Sequence, residues 1–168
     1  DAVAKHRSTS IYGNAVSLAE SPVVEDLVYV GTDDGLLHVT ENGGRTWRVE
    51  DSFPGVPTPC YTTWVRASHH DPDRVYAAFD NKKNGDFTAY MLRSDDRGRT
   101  WTDISGDMPD RTICHGIVED HEDPDLLFAA TEFAAYFTVD GGDRWIKLSG
   151  MPTIAVQDLE IQTRESDL

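Results

Sequence analysis

Lysine is scarce in this chain. There are 4 lysines against 21 aspartates, within a formal net charge of −15 over 168 residues. A surface this acidic offers no basic groove to follow a phosphate backbone, which argues against nucleic-acid binding. Cysteine is scarcer still. Cys60 and Cys114 stand alone, with no CxxC pair and no zinc-ligand spacing. A disulfide needs Cα atoms within about 7 Å, which neighbouring inner strands could supply. Their repeat positions are not equivalent, however, and the pair reads as two reduced thiols. No apolar run approaches the ~20 residues that a membrane-spanning helix needs. No stretch reads as a signal peptide or a transit segment. No cofactor fingerprint occurs, so no cofactor is expected. Sustained helical periodicity is missing too. The one segment that can be forced onto a helix, AVSLAESPVVEDL (15–27), is interrupted by Pro22.

What is present is a repeat. TENGGRTW (40–47), SDDRGRTW (94–101) and TVDGGDRW (138–145) share one form: Ser/Thr, any residue, Asp/Asn, any residue, Gly, any residue, Thr/Arg, Trp. The closing tryptophans stand at 47, 101 and 145, intervals of 54 and 44 residues. Self-similarity near that period is how the blades of a propeller appear in sequence. The repeat extends upstream, where Tyr29, Tyr76 and Phe128 hold one position, 11, 18 and 10 residues before their boxes. The extra length in the second unit is the polar stretch Asn81–Asp86, which reads as a longer loop. SHHDPD (68–73) and DHEDPD (120–125) are matching turns. That equivalence makes His69, His70 and His121 turn residues rather than metal ligands, since adjacent side chains on an extended backbone point to opposite sides.

Each unit reads as four short strands, because β-branched or alternating runs are bounded by Gly, Pro, Asn and Asp. In the first unit they are expected at Ala15–Ala19, Leu27–Gly31, Leu36–Thr40 and Thr46–Glu50. The expected fold is all-β: three four-stranded antiparallel sheets as β-propeller blades, plus one extra strand. The divisions are a lead-in at 1–13, blades at 14–54, 55–108 and 109–150, and the first strand of a further blade at 151–168. Propellers close with about 4–8 blades, so the chain reads as a partial propeller belonging to a larger protein.

The boxes fall on the hairpin between the third and fourth strands. Gly44, Gly98 and Gly142 suit a turn needing positive φ. Asn42, Asp96 and Asp140 can accept hydrogen bonds from the turn's own amides, beside Thr40, Ser94 and Thr138. Trp47, Trp101 and Trp145 are each expected to pack between neighbouring sheets. A calcium loop fits less well, because the acids of the second box alternate with Arg97 and Arg99 and lack the EF-hand spacing. A catalytic role would require three active sites on one small chain.

The boxes resemble the Asp-box, or BNR, repeat. LAESPVVEDLVYVGTDDGLLHVTENGGRTW and DPDLLFAATEFAAYFTVDGGDRW are similar to sortilin-like bacterial proteins and to those called "glycosyl hydrolase, BNR repeat". The same repeat occurs in sialidases and in xyloglucan-degrading propeller hydrolases. Asn42 stands where that family usually has Asp, and Arg144 where it usually has Thr. The resemblance implies a β-propeller, an extracellular or periplasmic setting, and boxes on the face away from the ligand side.

Function is then expected on the other face, among the hairpins between second and third strands and the connectors between blades. The candidates there are Asp33, Asp34, Asp86, His115 and Glu132, with His115 a possible lining residue of the central channel. Paired acids could serve as general acid and base in glycoside hydrolysis. A sialidase-like site would need an arginine cluster, and Arg7, Arg66 and Arg111 form none that the sequence reveals. Two readings stay open: a non-catalytic platform for a carbohydrate or protein ligand, or part of a glycoside hydrolase. Open blade edges are expected to be met by the remaining blades of a parent protein or by self-association, two copies giving a six-bladed dimer.

Overall fold

The computed structural model describes residues 13–162. Three four-stranded antiparallel sheets follow one another along the chain. Blade 1 consists of β1 (Ala15–Glu20), β2 (Val28–Thr32), β3 (Leu37–Thr40) and β4 (Arg48–Glu50). Blade 2 consists of β5 (Tyr61–Ala67), β6 (Val75–Asp80), β7 (Tyr90–Ser94) and β8 (Thr102–Asp103). Blade 3 consists of β9 (Cys114–Glu119), β10 (Leu127–Thr131), β11 (Ala135–Thr138) and β12 (Ile146–Lys147). Every strand pairs with its neighbour in sequence, so each blade is a meander. The blades meet through β1 and β2 against β5, and through β5 and β6 against β9, which gathers the first strand of each blade on one side. No helix among the described residues is long and apolar enough to cross a membrane.

The period of two in a strand decides which blade each side chain meets. In β6, Val75, Ala77 and Phe79 join Tyr29, Leu37 and Val39 of blade 1 in one core. The alternate residues Tyr76 and Ala78 join Ile117, Leu127 and Ala129 of blade 3 in a second core. All six residues of β6 are therefore buried, which is why VYAAFD carries no polar alternation. A buried carboxylate spans the second junction. Glu119 accepts hydrogen bonds from Ser68 Oγ (2.9 and 2.8 Å), His69 N–H (2.7 Å) and Tyr76 OH (2.9 Å).

The three boxes fold alike. The glycine N–H of each reaches the opening hydroxyl: Gly44 to Thr40 Oγ1 (2.8 Å), Gly98 to Ser94 Oγ (2.7 Å), Gly142 to Thr138 Oγ1 (3.2 Å). The third residue accepts the N–H four positions on: Asn42 from Thr46 (3.0 Å), Asp96 from Thr100 (2.8 Å), Asp140 from Arg144 (3.0 Å). That bond needs only an Oδ1 and a backbone amide, so Asn42 and Arg144 keep it. One further backbone bond ties each box to the turn between its blade's first two strands. The pairs are Gly43 N–H to Asp26 C=O (3.0 Å), Arg97 N–H to Asp73 C=O (2.7 Å) and Gly141 N–H to Asp125 C=O (3.0 Å). Gly98 has φ +83°, and a Cβ there would stand 3.3 Å from the Trp101 ring. Both facts call for glycine.

The tryptophans part company. Trp145 is 7% exposed in the second core and donates its Nε1–H to Ile104 C=O of blade 2 at 2.9 Å. Trp101 is half-buried against blade 1 and stacks edge-on with Phe53 at 5.6 Å. Trp47 was expected to be packed between sheets and is instead 46% exposed. The physical reason is directional. Each box tryptophan packs on the preceding blade, and no described blade precedes blade 1. Residues 151–162, where a further strand was expected, form no ladder, since a ladder needs a partner strand. One backbone bond, Val156 N–H to Thr131 C=O (2.9 Å), holds that segment on blade 3.

Candidate functional site

On the side of the second-to-third strand hairpins, a cavity of about 440 Å³ opens beside β5, β6 and β9. β5 supplies Tyr61, Thr63 and Trp64 to its wall, and β9 supplies His115. Asp80 ends β6, and Lys82 and Lys83 follow in a short 3-10 turn, Lys82–Asn84. Gln157 completes the lining from the C-terminal segment.

Local chemistry fixes these groups. Trp64 donates its Nε1–H to Ile117 C=O at 3.0 Å, and its ring lies over Gly116, where a Cβ would stand 3.3 Å away. Thr63 Oγ1 donates to Cys114 C=O at 3.1 Å, tying β5 to β9. Lys82 Nζ sits 2.5 Å from Asp80 Oδ2, and Lys83 Nζ stands 5.4 Å above the Tyr61 ring. His115 Nε2 lies 2.9 Å from Glu132 Oε2, with the imidazole side chain only 8% exposed. A second cavity of about 180 Å³ lies next to the first and shares Lys82; Phe87, Arg111 and Glu132 also line it. Arg111 Cζ stands 4.9 Å above the Phe87 ring.

The structure thus joins His115 and Glu132 and separates the other candidates. Asp33 accepts from Asn14 N–H and from Asn14 Nδ2, both at 2.8 Å, and holds the start of β1. Asp34 accepts from Thr32 Oγ1 within its own turn. Asp86 accepts from Tyr90 OH (2.6 Å), Asn81 Nδ2 (2.9 Å) and Thr88 N–H (3.0 Å). Those bonds, led by the one from Tyr90, hold its carboxyl well below the usual carboxylate range. It braces the loop and lines neither cavity. Arg66 pairs with Glu160 at 3.5 Å, and Arg7 lies outside the described residues. Sequence reasoning missed Tyr61, Trp64, Lys82 and Lys83. Two adjacent lysines in a lysine-poor chain were the available signal.

Thiol chemistry is unfavourable here. Burial, then the neighbouring Asp80 and Asp86 charges, push the Cys60 thiol up to about 12. Burial alone drives Cys114 to about 12. Both thiols are free and buried. The histidine turn also resolves structurally. His70 Nε2 lies 2.8 Å from Asp120 C=O, and no cluster of three metal-ligating side chains occurs among the described residues.

Among curated proteins, the chain is similar to a xyloglucanase of a Paenibacillus species, 28% identical and matching 76% of this chain. The chain spans only 14% of that relative's length. Among solved structures, it resembles the GH74 xyloglucanase of Xanthomonas campestris, with a TM-score of 0.63 at 16% identity, covering 83% of this chain and 24% of that one. It also resembles YCF48 solved with a D1 peptide bound, with a TM-score of 0.61 at 16% identity, covering 82% of this chain and 41% of that one. No protein-family profile matches the chain. At these identities the solved structures establish the fold, which is that of β-propeller blades.

Proposed function

We propose that this chain is a non-catalytic Asp-box (BNR) propeller segment of a larger, extracellular protein, akin to the sortilin-like group. Its cleft beside His115 acts as a platform for a carbohydrate or protein ligand. The observation that carries this reading is the state of the cleft's acids. Asp80 is the one carboxylate lining the 440 Å³ cavity among the described residues, and Lys82 neutralises it at 2.5 Å. Glycoside hydrolysis ordinarily needs two carboxyl groups about 5–10 Å apart across the scissile bond. Here the nearby acids are each engaged by a neighbour: Asp80 by Lys82, Glu132 by His115, Asp86 by Tyr90. A cavity of this size walled by aromatic groups and a few fixed polar ones suits ligand capture. Further blades, or a second copy of the chain, cover the open faces of blades 1 and 3.

One observation favours a second reading. Identity to a xyloglucanase, at 28%, is consistent with one wall of a polysaccharide-degrading enzyme whose acids lie elsewhere in a longer protein. Reducing-end release from xyloglucan, β-glucan and sialosides separates the two. No turnover by this chain is expected. Turnover above a buffer blank, lost on substituting Asp33, Asp34, Asp80 or Glu132, overturns the platform reading.

A further inference from the structure

We infer that the cleft selects acidic oligosaccharides, taking uronate-type carboxylates on Lys83 and Arg111 while sugar faces lie on Tyr61 and Trp64. This rests on the platform reading and names the ligand class of that same site. The chain carries twice as many acids as bases, 30 to 15. Arg48, Arg74, Arg93, Arg97 and Arg99 all have one within ion-pair distance. Arg45, Lys83, Arg111, Arg144 and Lys147 have none among the described residues, and of these five, Lys83 and Arg111 line the two adjoining cavities. Each of these two lies instead over an aromatic ring, Tyr61 for Lys83 at 5.4 Å and Phe87 for Arg111 at 4.9 Å. Such a contact orients a cation without neutralising it.

Both cations then face the same pair of adjoining cavities. Lys83 lines the larger, Arg111 lines the smaller, and Lys82 lines both. Two of the chain's 4 lysines are concentrated here. The lining of the two cavities carries three cations, Lys82, Lys83 and Arg111, against two carboxylates, Asp80 and Glu132, so its net charge is positive in an otherwise acidic chain. An anion arriving there gains charge-assisted hydrogen bonds, while the surrounding acidic surface repels anions that cannot reach the cleft. An oligosaccharide rather than an acidic peptide is favoured, because Tyr61 and Trp64 line the larger cavity beside Lys83 and offer ring surface to a sugar.

Calorimetric titration of the 168-residue chain with trigalacturonate, a neutral xyloglucan heptasaccharide and an acidic hexapeptide tests this. Trigalacturonate is expected to bind more tightly than the neutral sugar, and to weaken as salt rises. Lys83→Gln and Arg111→Gln are each expected to weaken it about tenfold, the scale of one charge-assisted hydrogen bond. Neither side chain makes a hydrogen bond or ion pair among the described residues, so only a small shift in melting midpoint, that of one ring contact, should accompany the loss. Equal affinity for the neutral sugar, or variants that bind like the parent, overturns the charge selection and leaves the platform reading intact. Binding of the peptide alone overturns the sugar assignment. No binding by any of the three overturns both the inference and the platform reading of this cleft.

Discussion

Trp47 and Trp145 close hairpins with the same hydrogen bonds, yet one is 46% exposed and the other 7%. Their boxes share the opening Thr, both glycines and the Trp, and both keep the Thr–glycine and Oδ1–amide bonds. The turn is therefore a local product of eight residues. The anchoring of its tryptophan is not local; it depends on the preceding blade. Trp145 has Ile104, Tyr76 and Met91 of blade 2 in its core, whereas Trp47 shares its face of blade 1 with exposed Leu18 and Val49. A box motif thus specifies a hairpin wherever it occurs, and stabilises a propeller only where a neighbour is present.

Mutation can break that contrast. Trp145→Ala should be the most damaging change, about 3–5 kcal/mol in urea unfolding, because it empties a closed interface. Trp101→Ala, in a half-buried setting, should cost about half as much; equal losses for the two would mean burial does not govern the anchor. Asp96→Ala should cost about 1 kcal/mol by removing bonds to the Thr100 and Arg99 amides. Burial opposes ionisation of Asp96, but hydrogen bonds from Thr100, Ser94 and Arg99 outweigh it and bring its carboxyl down to about 2. A depressed acid stabilises the fold above its unfolded value of 3.8 and loses that contribution as pH falls toward 2. The melting midpoint should decline over that window, and less steeply in Asp96→Ala. Trp47→Ala should shift stability by less than about 0.5 kcal/mol. Its effect should appear in light scattering across a dilution series, where the parent chain is expected to associate through its open faces and the variant to associate less. A parent that stays monomeric at high concentration would mean those faces are capped. Asn42→Asp should be nearly neutral, since the Thr46 hydroxyl can donate to a carboxylate as the Thr100 hydroxyl does to Asp96 at 2.6 Å.

The contrast between boxes also marks what could be read from sequence. The blades were legible because their signals recur. Expected strands at Ala15–Ala19 and Leu36–Thr40 match β1 and β3 to within a residue. Trp47's exposure was not legible, because a repeat declares a residue's role and not whether its partner is there. The cleft was legible only in part. His115 and Glu132 were candidates, and they meet at 2.9 Å. Asp33 and Asp34 looked equally functional, since a turn acid that caps Asn14 and one that meets a ligand have the same local sequence. Tyr61 and Trp64, three residues apart, would face opposite sides of a regular strand, and the register shift of β5 between Thr62 and Trp64 lets both line one opening. Features repeated three times read as architecture; features present once carry the chemistry and need the tertiary structure.

The boxes build the scaffold, and the opposite face is the proposed recognition surface. Amide hydrogen exchange of the chain with and without trigalacturonate tests this division most directly. Slowed exchange is expected in 61–64, 81–84 and 111–115, with the three box hairpins unchanged. Protection centred on 40–47, 94–101 or 138–145 would contradict it and return the boxes to the status of binding sites.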